Sequence, residues 1–75
     1  MSLAYVMINT VPEKVEMVLE DVKEIKGVEE AYVIYGVYDV IAEVKAENDY
    51  ELWAIIIKIR KLKHLLSTIT LQVVS

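Results

Sequence analysis

The run Leu3-Ala4-Tyr5-Val6-Met7-Ile8 constrains the fold of this chain more than any other feature. It is strand-like and apolar on both sides, with Leu3, Tyr5 and Met7 on one face and Ala4, Val6 and Ile8 on the other. A strand of that kind is covered on both faces. Helices of the same chain can cover one. The other needs more material than a small chain supplies: there are 75 residues, 56% of them hydrophobic. A domain of this size hides only about 60% of the surface its unfolded chain exposes. Self-association is therefore expected, since large bare apolar patches are uncommon on soluble monomers.

Other classes are excluded by what the chain lacks. It has no cysteine, so disulfides, thiol nucleophiles and thiolate metal sites are ruled out. The longest apolar run, residues 52–57, falls far short of the roughly 20 residues that cross a bilayer. No basic segment followed by an apolar stretch and a small-residue cleavage site opens the chain. A cytoplasmic protein without membrane contact is expected. The net charge is −4, whereas nucleic-acid binders normally carry a basic excess. The basic residues Lys58, Arg60, Lys61 and Lys63 fall at a predicted helix C-terminus, where cations complement the dipole. Direct nucleic-acid contact is not expected.

The rest of the chain divides cleanly. Residues 3–9 form the first strand. Thr10, Pro12 and Glu13 read as a helix start with a capping box, and Val15, Val18, Leu19, Val22 and Ile25 follow helical spacing. Gly27 stops that helix. Residues 28–35 and 38–46 read as two strands, the second with Val40, Ala42, Val44 and Ala46 on its core face. Asn48 and Glu51 open a second helix with another capping box. Leu52, Ile55, Ile56, Ile59 and Leu62 form its inward stripe, which Trp53 and Ile57 widen. Residues 67–75 alternate as a last strand, with Ile69, Leu71 and Val73 on one face and Thr68, Thr70 and Gln72 on the other. The polar face is ordinary if it meets water and useful if it lines a pocket.

Strand, helix, strand, strand, helix, strand is the ferredoxin-like βαββαβ arrangement of the α+β class. It implies one domain over residues 1–75, with a four-stranded antiparallel sheet and two helices on one face. Right-handed crossovers place the first and third strands as parallel neighbours. The bare sheet face is expected to meet a second copy, giving a dimeric α+β barrel.

Chemistry is sparse. His64 is the only histidine and reads as an exposed residue at the end of the second helix. No Ser/His/Asp order stands out, so no catalytic residue is assigned. The glutamates sit at helical-surface spacing without a histidine partner, so no metal site is assigned either. Two glycines cannot make a glycine-rich phosphate loop, and no cofactor is expected. What remains is Tyr35, Gly36, Tyr38 and Asp39 at the hairpin tip, with Thr68, Thr70 and Gln72 on the last strand. Such a set suits a small zwitterion. A carboxylate such as Asp39 can hold an ammonium group, and amides around Gly36 with threonine hydroxyls can hold a carboxylate.

The element order, the Tyr35-Gly36-x-Tyr38-Asp39 hairpin and the Ser67-Thr68-x-Thr70 strand start resemble the ligand-binding domain of Lrp/AsnC (feast/famine) transcription regulators, also called the RAM domain. The resemblance covers nearly the whole chain. Val37 departs from the acidic residue that often follows the glycine there. The resemblance implies sheet-paired homodimers assembled into rings, often octamers, with amino-acid effectors in clefts between dimers. The matching positions are Gly36, Tyr38, Asp39, Thr68 and Thr70. It also implies a stand-alone form without the helix-turn-helix domain, sensing an amino acid and co-assembling with full-length regulators. The competing reading is a cofactor-free ferredoxin-like monooxygenase or isomerase, which would have to work through His64 or Asp39.

Overall fold

The computed structural model describes residues 1–74; the last residue of the expected final strand lies outside them. Strand β1, Ser2–Thr10, runs through the interior of a four-stranded sheet of order β2-β3-β1-β4. Its partners are β3, Val40–Ala46, and the edge strand β4, Leu65–Val73, while β2, Val28–Val33, forms the other edge and pairs with β3. Helix α1, Val15–Lys23, leads from β1 to β2, and α2, Asp49–Arg60, from β3 to β4. This is the expected ferredoxin-like order.

The expectation that the first and third strands lie parallel is overturned: β1 pairs antiparallel with β3 and also with β4. The crossover through α1 joins β1 to β2. The tight β2–β3 connection then returns β3 between those two, running the opposite way.

Ala4, Val6 and Ile8 of β1 and Val40, Ala42 and Val44 of β3 are buried beneath the helices. Val18, Leu19 and Val22 of α1 and Leu52, Ile56 and Ile59 of α2 close that core from above. Each large aliphatic side chain buried here contributes about 1.5–3 kcal/mol. The expected stripe of α2 is the observed one, with Ile55 and Leu62 packed at its margins. Asn48 caps α2 as its spacing predicts, its side-chain oxygen accepting the Glu51 N–H at 2.9 Å.

The first helix start differs. Pro12–Lys14 forms a short 3-10 turn, and its N-cap position belongs to Val11, with no side-chain cap. Thr10 is instead the buried end of β1, and its hydroxyl donates to the Val11 carbonyl. The strand ends shift as well. β2 stops at Val33 and β3 begins at Val40, so Tyr35 and Tyr38 lie in the connection. β4 begins earlier than its pattern suggests, at Leu65.

Gly27 and His64 occupy matching places, each just before the strand that follows a helix, and both have positive φ (102° and 73°). His64 is half-buried there, not exposed, and its carbonyl accepts the Val11 N–H at 2.9 Å. Gly27 has a second constraint: a β-carbon on it would lie 2.3 Å from Ile55 Cδ1. Gly27→Ala is therefore expected to destabilise the fold by about 2–4 kcal/mol, combining backbone strain with a forced shift of Ile55. Chemical denaturation of the variant at fixed protein concentration measures it.

Candidate functional site

The hairpin end of the sheet is closed by one carboxylate. Beyond the Val40–Ile8 pair the β3–β1 ladder continues through Asp39, whose N–H donates to the Ile8 carbonyl at 2.9 Å. Its side-chain Oδ2 accepts the Thr10 N–H at 2.9 Å. The Asp39 carbonyl accepts the Ile34 N–H at 2.8 Å, which ties off β2. Asp39 thus binds three strands together, and its Oδ1 has no partner among the described residues. Around it, Tyr35 is exposed, Tyr38 is half-buried, and Gly36 stands in open space at φ 131°.

Thr68 sits across Ile8 from Val40, at the same end of the sheet but two strands over, about 10 Å by strand spacing. Thr70 pairs with Val6 and Gln72 with Ala4. Directly paired residues share a face. The polar set of β4 therefore turns toward the helices. The Thr70 hydroxyl oxygen is buried there and makes no hydrogen bond among the described residues. Gln72 is engaged: its amide donates to Asp49 Oδ1 at 3.0 Å and its oxygen accepts the Trp53 indole N–H at 3.3 Å. Asp49 also accepts the Ser2 hydroxyl. Neither bond of Gln72 is legible in local spacing, because Trp53 and Asp49 lie far from it in the chain.

An unpaired buried hydroxyl is destabilising, so Thr70→Val is expected to raise stability by about 1 kcal/mol. A denaturant midpoint that moves upward at unchanged slope is the check.

The apolar set of β4 points the other way. Ile69, Leu71 and Val73 are 44%, 53% and 41% exposed on the open face of the sheet. Met7, Tyr5 and Leu3 lie directly beside them, and Ile41, Glu43 and Lys45 follow on β3. Tyr32 pairs with Ile41, and Glu30 with Glu43. Two carboxylates thus stand opposite each other, and each has a tyrosine. The Tyr5 hydroxyl donates to Glu43 Oε2 at 3.2 Å, and the Tyr32 hydroxyl to Glu30. Tyr5, Glu30, Tyr32, Ile41 and Glu43 line a shallow cleft of about 140 Å³.

The hydrogen bond to Glu43 and its charge hold the Tyr5 hydroxyl above the usual phenol range, and Glu30 does the same to Tyr32. A raised phenol favours the fold while it stays protonated. That contribution is complete below about pH 10 and fades as pH climbs through the raised values. Ultraviolet titration is expected to show Tyr5 and Tyr32 ionising later than ordinary phenols, and Glu43→Gln is expected to bring Tyr5 back down.

The whole chain matches known proteins. The family model described as the Lrp/AsnC ligand binding domain matches residues 3–75. The chain belongs to this family. The structure of FFRP-DM1 is 33% identical, with a TM-score of 0.92 over 99% of this chain and 100% of that one. The hypothetical protein PHS023 from Pyrococcus horikoshii is also 33% identical, with a TM-score of 0.91 over 100% of this chain and 92% of that one. The feast or famine regulatory protein Rv3291c of M. tuberculosis, solved in complex with L-methionine, shares the fold at 18% identity, with a TM-score of 0.81 over 100% of this chain and 51% of that one. A search of curated proteins finds no match.

Within this Lrp/AsnC domain the hairpin residues and Thr68 lie at one end of the sheet, with Thr70 one pair further in, and two of the expected ligand residues are constrained by the fold. Asp39 holds Thr10, and the Thr70 hydroxyl is enclosed under the helices. The family model describes a ligand-binding domain, the class that the competing enzyme reading does not share. Asp39, on which that reading partly rested, is a strand clasp.

Proposed function

We propose that this chain is an amino-acid sensing and oligomerisation module of the Lrp/AsnC type, acting in the cytoplasm without touching nucleic acid itself. Two copies pair through their open sheet faces into a dimeric α+β barrel, and dimers join into a larger ring such as an octamer. An amino-acid effector binds at the hairpin end, where neighbouring subunits close the cleft. The free Oδ1 of Asp39 receives the ammonium group. Backbone amides around Gly36 receive the carboxylate. Tyr35 and Tyr38 wall the side chain, and Thr68 completes the site from β4, with the enclosed Thr70 backing it from further along the strand. Transcription is modulated when this chain co-assembles with full-length regulators of the same family.

The observation that carries the reading is the placement of the hairpin at an open sheet end, on a chain whose edge strand turns its apolar side outward. The mycobacterial relative with bound L-methionine supports an amino acid as the effector class. Thermal shift against each proteinogenic amino acid tests the sensing half: one or a few should raise the midpoint, and none doing so would count against it. Native mass spectrometry of this chain mixed with a full-length regulator tests the second half. Mixed assemblies support co-assembly, and exclusive self-assembly opposes it.

A further inference from the structure

Helix α2 is apolar on two sides. One side is the core stripe of Leu52, Ile56 and Ile59. The opposite side carries Tyr50, Trp53, Ala54 and Ile57, at the i, i+3, i+4, i+7 spacing of a second stripe. Tyr50 is 86% and Ile57 45% exposed, and with Asp49 these residues border an open hollow of about 420 Å³. A second apolar stripe on a helix, like the first, calls for cover from water. The sheet face cannot supply this cover, because it lies on the far side of the domain.

The charges beside the stripe say what covers it. At 100° per residue, Glu51 and Lys58 fall on one flank of the outer stripe, and Asp49 and Arg60 on the other. On each flank the acid is near the helix N-terminus and the base near the C-terminus. Both pairs centre on the same point, between Ala54 and Ile55. A second α2 laid antiparallel across a two-fold axis at that point brings Glu51 to the partner's Lys58 and Asp49 to its Arg60. The reciprocal pairs form at the same time. The small side chain of Ala54 lies at the crossing, where two helices come closest. A surface that complements its own two-fold copy is the mark of an isologous contact.

We propose that α2 forms a second interface between copies of this chain, antiparallel and two-fold symmetric, with Tyr50, Trp53, Ala54 and Ile57 at its centre and Glu51–Lys58 pairs along its exposed flank. It deepens the higher assembly proposed above by naming the surface that joins dimers. It does not depend on the sheet pairing.

Charge reversal tests it. Glu51→Lys leaves two basic residues on that flank and Lys58→Glu leaves two acidic ones. Each single variant is expected to weaken the contact at least about tenfold. By sedimentation, each should stop at a smaller assembly than the unaltered chain. Mixing the two variants, or combining both changes in one chain, restores opposite charges across the two-fold and should restore the larger assembly. Trp53 is the sole tryptophan, so its emission should shift to the blue as the unaltered chain is concentrated, and not in either single variant. Circular dichroism confirms that the variants are folded. Single variants that assemble like the unaltered chain would overturn the proposal. So would a folded double variant that stays small, or Trp53 emission indifferent to concentration. In the Leu71→Glu background only the helix contact is left, so loss of the sheet pairing and loss of the helix pairing are read separately.

Discussion

Leu71→Glu is expected to abolish pairing through the sheet while leaving the subunit folded. Leu71 is 53% exposed on the open face, on the edge strand β4 and opposite Tyr5 of the interior strand β1. It contributes little to the subunit's own core, so the substitution removes few internal contacts. In a sheet-to-sheet dimer the same position is enclosed. The carboxylate then loses its water, and the two-fold supplies a second one. Such a group without a partner is worth about 3 kcal/mol or more against association, at least a hundredfold in the dissociation constant. Sedimentation equilibrium should find nothing larger than the pair that α2 can hold, and adding Glu51→Lys should leave single subunits. Circular dichroism should remain that of the parent. An unchanged mass would mean that the open face is not where copies meet.

The second large effect is at Asp39. Asp39→Ala removes the acceptor of the buried Thr10 N–H and should destabilise the fold by about 1.5–3 kcal/mol, because the bond is to a charged group. It is therefore a poor probe of effector binding on its own: weaker binding would follow from a loosened hairpin alone. Asp39→Asn separates the two roles. An amide oxygen can still accept the Thr10 N–H, but it carries no charge for an ammonium group. The proposed site predicts near-parental stability with an amino-acid response weakened at least about tenfold in the Asn variant. The Ala variant should lose both. An Asn variant that still responds at parental affinity would assign Asp39 to structure alone.

What the sequence revealed was local. The stripe of α2, the Asn48 cap and the Gly27 stop each depend on residues within a turn or two of one another, and spacing displays them. Thr10 and Glu13 carry the same local signature of a cap, yet Thr10 ends a strand. Its N–H is claimed by Asp39, 29 residues downstream. No pattern near Thr10 encodes that bond. The facing of β4 was hidden for a different reason. Alternation shows that Ile69, Leu71 and Val73 share a face, but it does not show which face turns inward. The usual rule sends the apolar set to the subunit's own core. Here Thr68 and Thr70 take the helix side and the apolar set turns out. The rule assumes a monomer. The doubly apolar first strand carried the warning that it would not hold, because its outer residues Leu3, Tyr5 and Met7 continue the same surface. At the site, residue types pointed to the hairpin, but the prior claim on Asp39 and the enclosure of the Thr70 hydroxyl come from tertiary packing that spacing does not reveal.

Hydroxyl-radical footprinting of Tyr32, Ile69 and Leu71 across a dilution series tests the covered sheet face most directly. Protection at micromolar concentration that is lost on dilution, with the fold retained, is the predicted result. Reactivity that matches a bare subunit at every concentration would contradict it.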